Sequence, residues 1–206
     1  FIGLPLSIFQ FDDSLEVVVL EMGMSDFGEI DRLASIVKPH IGVITNIGVA
    51  HMESLGSREG IFQAKMEIAK HIAGDDELPG TLIYASDSEF LTKERTKGNY
   101  DQISVGEKGK DDYIISSVDD FGMDGIKFTL EHAQEVRQIS LPLPGRHNAI
   151  NSALAVAVGD LLGVSPEEET DGLAAADLTG NRLKRRENGS ICVIDDTYNA
   201  SPDSMK

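Results

Sequence analysis

Four short runs of apolar, mostly β-branched residues recur between longer segments of helical pattern, and no other feature of the chain restricts its fold as much. The runs are Val17–Leu20, Ile41–Ile47, Thr81–Tyr84 and Ile103–Val105, with helices expected near residues 28–36, 59–73 and 87–96. Strands apolar throughout are covered on both faces, and strands alternating with helices arise from strand-helix-strand units. The pattern therefore predicts an α/β fold with a mostly parallel sheet flanked by helices.

The pattern changes between residues 111 and 141 to polar/apolar alternation around a turn at Met123-Asp124-Gly125, which predicts an antiparallel extension of the sheet. A helix follows from His147 to Leu162 with Gly163 at its C-terminal end, and Ser165-Pro166 opens another through Ala176. Ile191–Ile194 reads as one more buried strand, leading into a turn-like Asn199–Asp203 that looks like the opening of a further domain.

Composition narrows the function. A chain of 206 residues, 41% hydrophobic, is long enough for one sizeable core. Its formal net charge of −17 opposes binding to a phosphate backbone, so nucleic acid is not an expected partner. No apolar run approaches the roughly 20 residues that span a bilayer, and the opening Phe1-Ile2-Gly3-Leu4-Pro5 reads as a chain cut within a domain. The single cysteine, Cys192, excludes a disulfide framework; its apolar neighbours predict that it packs as a small hydrophobe, and a reducing cytoplasm fits.

Ligands of open α/β sheets bind beyond the carboxyl ends of the strands, so polar residues there carry most weight. Glu21 follows Val17–Leu20 directly and precedes a glycine; it is either a metal-binding carboxylate or a solvated strand-end acid. His51 ends the segment Thr45-Asn46-Ile47-Gly48-Val49-Ala50-His51, where it is a ligand, an acid/base or a surface histidine. Ile61, Lys65, Ile68 and Ile72 fall on one helical stripe, whereas Glu59, Glu67 and Lys70 fall on the opposite, solvated side. A lysine on an apolar stripe either snorkels to the surface, joins an ion pair or has a task.

Gly145-Arg146-His147-Asn148-Ala149-Ile150-Asn151 is a glycine turn entering a helix, with helix capping or ligand binding as the two readings of its polar residues. Arg182 and the pair Asp195-Asp196, just after a strand, are weaker signals. The phosphate-binding pattern GxxxxGK[ST] occurs nowhere in the chain.

In this order the motifs resemble the Mur ligase family. They are Leu20-Glu21-Met22-Gly23-Met24 with Gly28-Glu29-Ile30, Thr45-Asn46-Ile47-Gly48 with Ala50-His51, Ala64-Lys65 with Glu67-Ile68, Pro144–Asn148 with Asn151, and Asp195–Ala200 with Pro202–Met205. The segment after Glu21 is most similar to the branch that adds D-alanyl-D-alanine to UDP-N-acetylmuramoyl-tripeptide. The resemblance implies a central, ATP-binding domain over residues 1–179, and a hinge with the start of a C-terminal domain over 180–206. It implies ATP with Mg²⁺; Glu21, His51 and a CO₂-derived carbamate on Lys65 as metal ligands with catalytic roles; Asn151, His147, Asn148, Arg182 and Asp196 as nucleotide contacts; and a monomeric, cytoplasmic bacterial parent. The nitrogen of His51, as a metal ligand, would suit Mn²⁺ in place of Mg²⁺. Lacking a phosphate loop, the chain is expected to be inactive by itself. A folylpolyglutamate-type ligase, another Mur-type ligase and a non-catalytic remnant are the competing readings.

Overall fold

A mostly parallel sheet carries the fold, as the alternating runs predict. Its strands, in the order β1-β2-β3-β4-β5-β6, are β1 (Ile41–Ile44), β2 (Thr81–Ala85), β3 (Asp101–Gly106), β4 (Tyr113–Asp120), β5 (Ile126–His132) and β6 (Glu135–Leu141). This computed structural model describes residues 2–177 and 182–198. Asn199–Asp203 and the similarity at residues 202–205 lie outside them. Contacts group the chain into two units: the first runs to Ile83 and takes in Ser88–Gln102, the second holds Tyr84–Asp87 and the chain from Ile103 on.

In the first unit, α1 (Gly3–Ile8), α2 (Glu29–Val37), α3 (Met52–Leu55) and α4 (Arg58–Lys65) accompany β1 and the start of β2. Ser57 caps α4, its side chain accepting from the Gly60 amide at 3.0 Å. The helix expected over 59–73 is α-helical only to Lys65 and continues as a 3-10 turn over Met66–His71. The tighter winding turns about 120° per residue instead of 100°, so the apolar stripe drifts. Glu67, expected on the solvated side, is consequently buried at 7% exposure, where its carboxylate accepts from the Gly28 amide at 2.8 Å and the Asp31 amide at 3.1 Å. An acid in that place satisfies free donors at the start of α2 and complements the positive end of the helix.

Two other expectations fail in this unit. Val17–Leu20 joins no ladder, because β1 ends the strand order and pairs only with β2; Val17, Val18 and Val19 stand exposed. An apolar run becomes a strand only with a partner for its backbone. Residues 87–96 form turns instead of a helix. There the Ser88 hydroxyl receives the Phe90 amide at 3.2 Å, and the Thr92 carbonyl receives the Arg95 and Thr96 amides, each at 3.0 Å. Short hydroxyl side chains offer the backbone local alternatives to a continuing helix.

The second unit contains the expected antiparallel extension, β4-β5-β6, with a turn at Gly122–Asp124. β3 and β4 pair in parallel although six residues join them, far short of a usual crossover. The overlap is confined to Val105↔Tyr113 and Gly106↔Ile114, and Asp112 closes the loop by accepting from the Ser104 amide and hydroxyl, both at 2.8 Å. α5 (His147–Leu161) buries Ala149, Ala153, Leu154, Val156 and Ala157. α6 (Pro166–Ala174) opens on a capping box in which Ser165 and Glu168 satisfy each other's amides. Arg137 of β6 links the helices by donating to Asp160 at 2.9 Å and Glu169 at 2.7 Å. Burial, reinforced by the Asp160 charge and opposed by Arg137, raises the Glu169 carboxyl above the usual range.

β7 (Lys184–Asn188) and β8 (Ile191–Asp195) form a separate antiparallel pair. β8 was expected to be buried, with Cys192 packed inside; instead Ile191, Val193 and Ile194 are exposed, and so is Cys192. A two-stranded hairpin has no second layer in which to bury a face.

Glu67→Ala is expected to reduce unfolding stability by about 1–3 kcal/mol, since two amides at the start of α2 lose their acceptor, with Glu67→Gln costing less. Urea denaturation checks the size, and faster hydrogen exchange at Gly28 and Asp31 checks the cause. An unchanged midpoint for Glu67→Ala would remove the capping role.

Candidate metal and nucleotide site

β1 stops at Ile44, three residues before the apolar run ends, and the loop that follows is tied down by both ends of α4. Arg58 and Lys65 are seven residues apart, two helical turns, so they project from the same side of the helix. The Lys65 Nζ donates to the Asn46 carbonyl at 2.8 Å and to its Oδ1 at 3.3 Å; Arg58 Nη2 donates to the next carbonyl, that of Ile47, at 3.0 Å. The Arg58 guanidinium also lies 4.9 Å from the Phe90 ring centre and 3.5 Å from Glu89. Two cations thus hold two successive carbonyls, and Ile47, which bears the second, is buried at 3% exposure.

Beyond this anchor the loop delivers His51 at the start of α3 in a left-handed conformation, φ 64°. Its carbonyl begins the helix by accepting from the Leu55 amide at 3.0 Å, but its imidazole caps nothing and is exposed. Glu21 is likewise exposed in an irregular segment, and among the described residues no hydrogen bond or ion pair engages either side chain. Both are available to a ligand.

Among the described residues no three His, Cys, Asp or Glu side chains converge as a metal site. The structure brings Lys65 onto the His51 loop, and it does not gather Glu21 and His51 with a third ligand of those types. In its unmodified form Lys65 is a donor and cannot ligate a cation; with CO₂ added it presents carboxylate oxygens, the ligand class Mg²⁺ prefers. By type alone, a glutamate, a histidine and such a carboxylate would suit a divalent cation. Half-burial favours the neutral amine that conversion needs, since desolvation lowers the lysine below its ordinary value.

In the second unit Gly145 takes φ 95°, and a side chain there would meet the His147 ring at 2.7 Å, so the turn favours glycine. α5 then starts without a side-chain cap. Neither asparagine serves that purpose: buried Asn148 donates back to the Pro144 carbonyl at 2.8 Å, and exposed Asn151 donates to Asn148 Oδ1 at 3.2 Å. This chain of amides fixes Asn151 at the helix surface beside an exposed His147. Near the hairpin, Arg182 lies 4.2 Å over the Tyr198 ring, and Asp196 accepts from the Leu183 amide at 3.3 Å. Asp195 turns to Thr197 and Arg186, and the Thr197 hydrogen bond is the main influence lowering its carboxyl.

Asn46, Arg58 and Glu67 were missed as contributors to this arrangement. Arg58 was legible, seven residues before the lysine on one helix; Asn46 and Glu67 depend on where the strand ends and where the helix tightens.

The Mur ligase middle-domain model matches residues 1–159. The chain belongs to the Mur ligase family. Within that family it is similar to proteins named UDP-N-acetylmuramoyl-tripeptide–D-alanyl-D-alanine ligase. One from Bacillus subtilis is 39% identical over the whole chain, and one from Escherichia coli is 28% identical over 99% of it. Solved structures agree: MurF from Acinetobacter baumannii matches 98% of the chain with a TM-score of 0.90 at 34% identity, and MurF from Thermotoga maritima in complex with ADP does so with 0.81 at 30%. The chain spans 43% of the Bacillus relative's length and 44% of the Acinetobacter chain.

Because burial lowers the Lys65 amine, the pH at which half of it is neutral should fall below the ordinary lysine value. Competitive labelling with a small amine reagent across a pH series, read by mass spectrometry, gives each lysine its own midpoint. A Lys65 midpoint at or above the others would contradict the desolvated placement.

Proposed function

We propose that residues 1–179 are the central, nucleotide-handling domain of an ATP-dependent ligase that adds D-alanyl-D-alanine to UDP-N-acetylmuramoyl-tripeptide. Residues 180–206 would be the hinge and the start of a C-terminal domain. The observation that carries the reading is Lys65: a half-buried amine, lowered by desolvation, held by two oxygens of Asn46 beside the loop that presents His51.

In this reading Glu21, His51 and carbamylated Lys65 hold Mg²⁺, or Mn²⁺ in its place. The metal supplies charge neutralisation for the transferring phosphoryl group. Asn151, oriented by Asn148, contacts the nucleotide base together with His147; Arg182 and Asp196 position ATP from the hinge. The tripeptide carboxylate takes the terminal phosphoryl group of ATP, and the D-alanyl-D-alanine amine then attacks the acyl phosphate and expels phosphate. The ADP complex of the Thermotoga relative supports the nucleotide, and the relatives' names support the two substrates. The reading places the parent as a monomer in the bacterial cytoplasm.

Since the chain contains no GxxxxGK[ST], the phosphate cradle has to come from other residues of the parent, and this segment alone turns over no substrate.

The test is phosphate release from ATP by the protein that carries this chain. It should require both UDP-N-acetylmuramoyl-tripeptide and D-alanyl-D-alanine, and Lys65→Ala should reduce kcat by roughly 100-fold or more, the scale of losing a group that organises transition-state charge. Turnover with a folate and glutamate but not with D-alanyl-D-alanine would transfer the chain to the folylpolyglutamate branch.

A further inference from the structure

We propose that Asn46 is the positioning residue for Lys65, presenting its amine to CO₂ and then holding the carbamate by a flip of its own side-chain amide. This rests on the reading of Lys65 as carbamylated and assigns the residue that makes the modification persist.

Asn46 sits two residues beyond the end of β1 and meets one nitrogen with two oxygens: its backbone carbonyl at 2.8 Å from Lys65 Nζ and its Oδ1 at 3.3 Å. A neutral amine has two N–H bonds and one lone pair. Its two hydrogens match these two acceptors, and the lone pair is left directed away from Asn46. Addition then balances without a further reagent: the lone pair forms the N–C bond to CO₂, one C–O π pair moves onto oxygen, and a proton leaves nitrogen for water. The product is R–NH–COO⁻.

The carbamate nitrogen keeps a single hydrogen. It stays on the shorter partner, the Asn46 carbonyl, so Oδ1 loses its donor at the moment two new anionic oxygens appear beside it. Rotating the carboxamide by 180° exchanges Oδ1 for Nδ2 with almost no change of shape, and the site gains a donor where it had an acceptor. Asparagine serves both states. Aspartate offers acceptors alone, and alanine offers nothing. Neither Asn46 state requires the backbone to move, and the Arg58 hydrogen bond to Ile47 keeps the neighbouring carbonyl fixed throughout.

The protein that carries this chain, equilibrated with ¹³C-bicarbonate, should give a carbamate resonance that is absent from Lys65→Ala. Asn46→Ala should need roughly tenfold more bicarbonate for the same intensity, the scale of losing a hydrogen bond to a charged group. Asn46→Asp, nearly identical in size and therefore informative even where the alanine variant fails to fold, should lose the resonance while its circular dichroism matches the wild type. Full intensity in folded Asn46→Asp, with the wild-type resonance present, overturns the role of Asn46 and leaves the Lys65 reading intact. A wild-type protein without the resonance removes the Lys65 reading, and this inference with it.

Discussion

The first unit is organised by a change of winding at one peptide, between Lys65 and Met66. Up to Lys65 the segment is an α-helix whose end turns an amine onto the loop after β1; from Met66 it is a 3-10 turn that rotates Glu67 inward onto the start of α2. Had the α-helix continued, Glu67 would sit toward solvent, where the regular stripe assigns it. The transition therefore sets Glu67 beneath the start of α2, while Lys65, in the last α-helical turn, reaches Asn46. It also explains why the residue types are reversed against intuition: the acid is the buried group and the lysine the half-exposed one.

Both units follow the same plan, in which a regular element ends and an irregular turn presents polar groups. After β1 that turn carries Asn46 and His51; after β6 it carries Gly145 and the first residues of α5. The two turns are stiffened by different means. Cations from α4 hold the first through its carbonyls, whereas the second relies on a glycine conformation and a relay of amides from Pro144 through Asn148 to Asn151. Preorganisation of this kind costs the site nothing when a ligand arrives, because the groups are already oriented.

Much of this was legible in the chain. Alternating apolar runs revealed the sheet, the switch to period-two alternation revealed β4-β5-β6, and Gly163 and Ser165-Pro166 marked where α5 stops and α6 starts, because each signal is local. The failures share a non-local cause. Val17–Leu20 has the composition of a strand, yet pairing depends on a neighbour that composition does not report. Ile191–Ile194 has the composition of a core strand, yet burial depends on a second layer. At the site, Glu21, His51 and Lys65 were picked out by position, and the structure brings only Lys65 onto the His51 loop. Asn46 escaped notice because its role is played partly by its main chain, for which any residue type would read the same.

The left-handed backbone at His51 has a consequence for how this position can drift over evolutionary time. A positive φ is tolerated by glycine and, among residues with a side chain, most readily by asparagine, aspartate and histidine; β-branched residues meet a steep penalty there. Of the tolerated set, all but glycine carry a side-chain nitrogen or oxygen. The turn therefore favours residues with candidate donors as a bias and not a rule, since Ala133 and Leu183 take the same left-handed backbone elsewhere in the chain.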